Sequence, residues 1–378
     1  MAGVISPVRL VLWPVLPLLA VAAVSCRVFE TAEPARLTVR IPPTGSLYHG
    51  AFPGNGSGRE DDMTLDGIRT YEQLAGKTLA WVYFSHDWFR GREFPSATAT
   101  MIRDAGSVPF IRLMLRSDFR HWSPESTYTL QRILEGAFDG DLRSWFRSAR
   151  RFGSPLIVEY GTEVNGDWFC WNGSRNGGGG TGGYGDPGDP DGPERFRDAY
   201  RRIIRLSREE GAGNIVWVFH VNSGDAPAEE WNRLEQYYPG PEWIDWIGVS
   251  VYGAQRPLEK AWPRFRDLMD PLYARLSGIA PDVPVVVCEF GATQGNPLGS
   301  QEHWARETLE DLTGGRWPRV IGFSWWNEGW RNDTDPRHNT DMRLGNNPAL
   351  IRVFRETIGG NPRILGRMLT EQRPPPFP

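Results

Sequence analysis

The chain has 378 residues, 40% hydrophobic and 23% charged, and its 42 cationic and 46 acidic side chains leave a formal charge of −4. That length fits one large domain or two ordinary ones, and the near-balance of charge removes any electrostatic case for a nucleic-acid partner. Seventeen Trp exceed what a core of this size needs; indoles left outside a core suit stacking on flat sugar faces.

Arg9 is the only charged side chain ahead of an apolar run from Leu10 to Val24 that contains Pro14 and Pro17. The run is short for a bilayer-spanning helix and reads as an export signal. It ends in Ala23-Val24-Ser25-Cys26, which resembles the lipobox of bacterial lipoproteins, with Cys26 lipidated as the mature N-terminus; simple secretion after a nearby cleavage is the alternative. Cys170 and Cys288 remain. No His stands near them at zinc-ligand spacing, so both read as structural, with pairing to each other as the other option.

Beyond Thr44, short and continuously apolar runs predict strands at 47–52, 79–84, 108–115, 156–160, 215–219, 246–251, 283–289 and 320–325, as expected of strands covered on both faces. Amphipathic stretches predict helices at 65–75, 96–105, 130–152, 193–210, 258–276, 301–312 and 348–358. The clearest, 193–210, opens on Pro193, gathers Phe196, Tyr200, Ile203, Ile204 and Leu206 on one side, and stops at Gly211 and Gly213. Eight strands alternating with helices predict an α/β fold, the (β/α)8 TIM barrel; a doubly wound sheet shares the alternation. The expected organisation is a signal segment at 1–26, a linker at 27–43, a catalytic barrel at 44–362 and a C-terminal tail at 363–378.

Chemistry in a barrel comes from the C-terminal ends of its strands. Two carboxylates stand there: Glu163, just past the fourth strand, and Glu289, closing the seventh. Glycosidic cleavage with retention needs such a pair, one to protonate the leaving oxygen and one to attack the anomeric carbon. Asp87, Asp118, Glu159 and Glu328 are competitors at other strands; Glu159, four residues before Glu163, suits a deeper ion pair. Aromatic residues gather at the same ends: Trp88, Trp122, Trp168, Phe169, Trp171, Tyr252, Trp325, Trp326 and Trp330. Tyr252 is placed to hydrogen-bond Glu289 and keep it ionised. Asp186, Asp189 and Asp191, in the Gly-rich connection after the fourth strand, offer oxygen ligands for calcium without EF-hand spacing; a solvated loop is the plainer account.

The segments 162–171 (Thr-Glu-Val-Asn-Gly-Asp-Trp-Phe-Cys-Trp), 214–219, 237–240, 245–252 and 288–291 (Cys-Glu-Phe-Gly) resemble glycoside hydrolase family 26. That family lies within the clan of retaining hydrolases that carry acid/base and nucleophile on strands four and seven. The resemblance implies Glu163 as acid/base and Glu289 as nucleophile. It also implies Trp168 and Tyr252 in the sugar site and Trp326 as a stacking platform; Asn165, Trp171 and Trp88 complete the expected substrate-binding set. Thr162 stands where the family usually has His, and Ser250 where Asp is common. The substrate class is then a β-mannan, β-glucan or xylan type of polysaccharide or oligosaccharide, and the chemistry needs no cofactor or metal. The expected protein is a monomeric, exported hydrolase that meets a membrane only through a lipid on Cys26. A non-catalytic carbohydrate-binding lipoprotein, or a structural lipoprotein with an aromatic protein interface, are the alternatives from other classes.

Overall fold

A computed structural model describes residues 1–4, 36–120 and 124–373; the apolar leader, Cys26 and Trp122 lie outside the described residues. Ala35–Pro378 form one compact unit, and Met1–Pro34 form another of which the first four residues alone are described.

The larger unit starts with β1 (Arg36–Val39) and then winds β2 (Leu47–Phe52), α1 (Leu65–Ala75), β3 (Trp81–Asp87), α2 (Ser96–Asp104), β4 (Val108–Met114), α3 (Leu130–Leu134), α4 (Asp139–Phe152), β5 (Leu156–Tyr160), α5 (Asp191–Glu209), β6 (Ile215–Asn222), α6 (Leu234–Tyr237), β7 (Trp246–Tyr252), α7 (Phe265–Ile279), β8 (Val285–Gly291), α8 (Gln301–Thr313) and β9 (Val320–Trp326). Strands β2 to β9 pair in sequence order, all parallel, and β2 pairs with β9 to close the sheet. The result is the eight-stranded (β/α)8 barrel. Its strands are apolar almost throughout because helices cover one face and barrel filling covers the other. Register slips between Val249 and Ser250 and between Val287 and Phe290. Such irregularities re-aim side chains next to functional sites, and these fall at Ser250 and Glu289.

Helix boundaries follow local chemistry. Thr64 caps α1 by accepting from the Gly67 N–H at 3.1 Å, and Ser300 caps α8 through the His303 N–H at 3.1 Å. Three helices differ from expectation. The stretch 130–152 breaks into α3 and α4 around Gly136, whose φ of 82° is outside helical space. The stretch expected from Leu258 turns helical only at Phe265. Pro263 disfavours helical backbone at the residue before it, and Leu258 is exposed. After α9 (Pro348–Phe354), residues Arg355–Gly359 continue as a wider π turn.

The expected linker and tail both differ from the structure. A short hairpin-like pair, β10 (Gly329–Trp330) with β11 (Thr340–Asp341), follows the barrel. Then β12 (Ile364–Leu365) adds in parallel beside Leu47 and Tyr48 of β2. Last, β13 (Thr370–Arg373) pairs antiparallel with β1, Arg36 opposite Arg373. Tyr48 anchors this ribbon: its hydroxyl donates to the Arg40 carbonyl at 2.8 Å and accepts from the Leu369 N–H at 3.2 Å. Ile364 is buried, so residues from 363 onward belong in part to the folded body.

Candidate active site

The site begins where β5 ends. Gly161, at φ 77°, turns the chain out of the strand; a side chain there would meet the ring of Phe196. Two residues later Glu163 adopts φ 49°, the one positive φ at a non-glycine residue among the described residues. Such backbone is costly and persists only where its surroundings over-determine it, which is characteristic of functional positions.

The surroundings are built from the residues just downstream. Asn172 donates to the carbonyls of Glu163 (2.9 Å) and Val164 (3.0 Å), and its own oxygen accepts from the Phe169 N–H at 2.6 Å. The Trp171 indole donates to the Thr162 carbonyl at 2.8 Å and stacks on Phe169 with ring centroids 4.6 Å apart. The Asn165 amide donates to the Asn222 carbonyl (3.1 Å) and Asp225 carboxylate (2.8 Å), and its oxygen accepts from the Asn222 N–H (2.7 Å). Trp168 folds back over Gly166, where any side chain would collide with its ring, and its indole N–H donates to Glu163 Oε2 at 2.7 Å.

Glu289 rises from β8 on the other side. It is 5% exposed. The Tyr252 hydroxyl donates to its Oε2 at 2.9 Å, while Oε1 lies 3.4 Å from both the Tyr83 hydroxyl and the Arg112 guanidinium. Burial pushes its carboxyl up to about 7; Arg112 pulls the other way, and the Glu163 charge adds to the rise. The electrostatic influence of Glu163 on Glu289 places the two carboxylates in one field.

Beneath them the barrel interior is polar. Arg112 on β4 reaches Glu60 (2.6 Å), Glu289 (3.4 Å) and Glu159 (3.5 Å). Glu159 on β5 is fully buried and accepts from the Tyr83 hydroxyl at 2.6 Å and the Thr162 hydroxyl at 2.5 Å. Its other oxygen lies 2.8 Å from Nδ1 of His220, whose Nε2 lies 2.8 Å from the Ser250 hydroxyl. Burial would raise the Glu159 pKa and lower that of His220; their mutual attraction outweighs it, so Glu159 sits below its ordinary value and His220 above. Thr162 and Ser250 are thus both bonded into this floor.

Of the sequence-derived set, Glu163, Glu289, Trp168 and Tyr252 come together. Trp326 borders them, stacked on Phe52 at 4.3 Å with the Arg112 guanidinium 5.4 Å from its ring centre. Three expectations are corrected. Trp171 and Asn165 are fully buried, and their polar atoms hold the Glu163 loop instead of facing a ligand. Trp88 is 2% exposed and packs edge-on against Tyr128 and Phe138. Asp87 pairs with Arg116, and Asp118 with Arg120. Glu328 is buried at the end of β9, with the Gly329 N–H on one oxygen.

Asp186, Asp189 and Asp191 take separate partners: the Gly188 N–H, Arg197, and the N–H groups of Gly183 and Tyr184. Among the described residues one group could converge on a metal ion, Glu159, His220 and Cys288, with ligand atoms within 4.8 Å of one another. Both imidazole nitrogens already have partners and burial keeps the Cys288 thiol protonated, so this set fits an ion pair better than a metal centre. Sequence reasoning missed Arg112, Tyr83, His220 and Glu60. The available signal was a charged or polar residue inside an apolar strand, as in Phe110-Ile111-Arg112-Leu113 and Val218-Phe219-His220-Val221.

The sequence profile of glycosyl hydrolase family 26 matches residues 134–274, which span the Glu163 loop and β5 to β7. Endoglucanase H of Acetivibrio thermocellus is 23% identical over 294 residues, 77% of this chain but 29% of that protein, so the chain spans less than a third of that relative's length. A family 26 β-mannanase from Bacteroides ovatus superposes with a TM-score of 0.56 at 17% identity, covering 85% of this chain and 90% of that one. A β-mannanase from a symbiotic protist of the termite Reticulitermes speratus, solved with a gluco-manno-oligosaccharide, gives 0.54 at 13% identity over 85% and 88%. Profile, relative and shared barrel agree: the chain is similar to glycosyl hydrolase family 26, at the distance of a divergent relative.

Proposed function

We propose that this protein is a retaining endo-β-glycanase that acts on a polysaccharide outside the cytoplasm. The observation that carries the reading is the pairing of a strained, indole-held Glu163 with a buried Glu289 across one barrel mouth. In the first step Glu289 attacks the anomeric carbon while Glu163 gives its proton to the leaving glycosidic oxygen. In the second, Glu163 takes a proton from water, the water oxygen attacks the same carbon, and the bond to Glu289 breaks. The Tyr252 hydroxyl and Arg112 favour the ionised form that attack requires. Half-buried Trp168 and Tyr252, with Trp326 beside them, supply walls for a sugar.

The names of the relatives support β-glucan or β-mannan as substrate class, with xylan as a further member of the range. The apolar leader supports export, with anchoring through Cys26 or free secretion as its two forms; among the described residues no helix is long and apolar enough to cross a membrane. The working form is a monomer without cofactor.

The test is reducing-end release from mannan, galactomannan, mixed-linkage glucan, carboxymethylcellulose and xylan, with Glu163→Gln and Glu289→Gln run beside the wild type. Hydrolysis of one polymer, lost in both variants, supports the reading. Saccharide binding of equal strength in all three proteins without hydrolysis would replace it with a binding function.

A further inference from the structure

We propose that His220 is a positioning residue for the nucleophile: as an imidazolium it neutralises Glu159 on the barrel floor and so leaves the Arg112 guanidinium for Glu289. The inference rests on the reading of Glu289 as nucleophile.

The geometry poses a problem of charge. Arg112, 3% exposed, lies within salt-bridge distance of three carboxylates: Glu60 at 2.6 Å, Glu289 at 3.4 Å and Glu159 at 3.5 Å. Glu159 and Glu289 are both shielded from solvent, and a buried carboxylate without a compensating charge takes up a proton. One guanidinium cannot hold all three ionised. His220 supplies the second cation, with Nδ1 2.8 Å from Glu159 Oε2 and Nε2 2.8 Å from the Ser250 hydroxyl. A fully buried ion pair of this kind is a poor source of stability, since apolar residues of similar volume serve as well or better. Its place directly under the nucleophile gives it a reason.

The floor also connects the two sites. The Tyr83 hydroxyl lies 2.6 Å from Glu159, 3.5 Å from His220 Nδ1 and 3.4 Å from Glu289. The titratable and charged groups facing His220 are Glu159 on β5, Tyr83 on β3, Cys288 and Glu289 on β8, and Glu163 on the loop after β5. Arg112 on β4 meets it through Glu159. The carboxylates all favour a charged imidazole. If His220 is neutral, Glu159 becomes the best partner for the Arg112 guanidinium, the hold on Glu289 weakens, and the nucleophile ionises only at higher pH.

The experiment follows the Glu289 carboxyl by carbon NMR in full-length protein labelled at glutamate Cδ, its signal assigned by its loss in Glu289→Gln. In His220→Asn the midpoint should rise by about one pH unit, a tenfold change in ionisation constant. In Ser250→Ala, which leaves the imidazole charge in place, it should move much less. The Glu159→Gln/His220→Asn double variant removes both charges, and its midpoint should return toward the wild type. An unmoved midpoint in His220→Asn, or a double variant displaced as far as the single one, overturns the proposal. A measurement that needs no variant guards against misfolding: imidazole nitrogen shifts in the wild type should report His220 charged at pH 7, and a neutral ring there overturns it too. Because both readouts are independent of hydrolysis, failure on the polymer panel and failure of this inference are distinguishable.

Discussion

The indole nitrogen of Trp168 sits 2.7 Å from a carboxylate oxygen of Glu163, five residues earlier in the chain. The side chain of Glu163 is therefore aimed from both ends, by its own unusual backbone and by the ring that folds back onto it. Trp168→Phe keeps the ring and deletes the N–H. Loss of a hydrogen bond to a charged group, about 1.5–3 kcal/mol, should lower kcat by about 10- to 100-fold. Steady-state kinetics on the best polymer checks this; a change confined to KM would make Trp168 a sugar wall alone.

Glu163→Ala should separate substrates by leaving group. With a natural polysaccharide, loss of the proton donor should cost about 100- to 10,000-fold in rate. An aryl glycoside whose phenolate departs unaided should lose far less in the glycosylation step, and its covalent intermediate should accumulate. Equal losses on both substrates, measured by pre-steady-state release of the phenol, would remove Glu163 from the acid role.

Glu289 links rate and stability to pH in opposite directions. Its pKa is raised by burial to about 7 in the folded protein, above the ordinary value near 4.3 of an exposed glutamate. In the proposed mechanism the attacking form of Glu289 is the anion, so kcat/KM should fall as pH drops through about 7. The folded state binds the extra proton between these two values, so the destabilisation due to this group is absent below about pH 4 and complete above about pH 7. Glu289→Gln should therefore stabilise the fold at pH 8 by an amount on the order of 3 kcal/mol and bring little gain at pH 4. Thermal unfolding of both proteins at the two pH values reads the difference.

Asn172 is the residue whose removal should damage the site without touching a ligand. Asn172→Ala strips the amide partner from the Glu163 and Val164 carbonyls, and buried groups left without partners cost about 1–3 kcal/mol each. A lower unfolding temperature together with a lower kcat and a nearly unchanged KM is expected. Trp88→Phe, inside its aromatic cluster, should leave KM for every polymer as it is.

The barrel was readable because its evidence is periodic: eight apolar runs between amphipathic stretches fall within a few residues of β2 to β9. Glu163 and Glu289 were readable because strand ends are where carboxylates become conspicuous. Asn165 and Trp171 were misread because the loop after β5 has no repeat from which side-chain direction follows. Proximity to Glu163 in sequence suggested the cleft, whereas their atoms turn inward to hold the loop. Arg112 and His220 were passed over for the reverse reason, as single polar residues in runs read only for their apolar content. The pairing of β1 with β13 joins residues more than 300 positions apart, and no local pattern announces it.

That ribbon fixes where the folded body can be held. Arg36 and Arg373 lie side by side, and the ribbon is fastened through Tyr48 to the starting end of β2, whereas Glu163 and Glu289 occupy the finishing ends of their strands. A resin or sensor surface coupled at this ribbon therefore grips the pole away from the mouth. Immobilised preparations should keep their access to long, insoluble chains, and coupling at a residue of the loop after β5 should not.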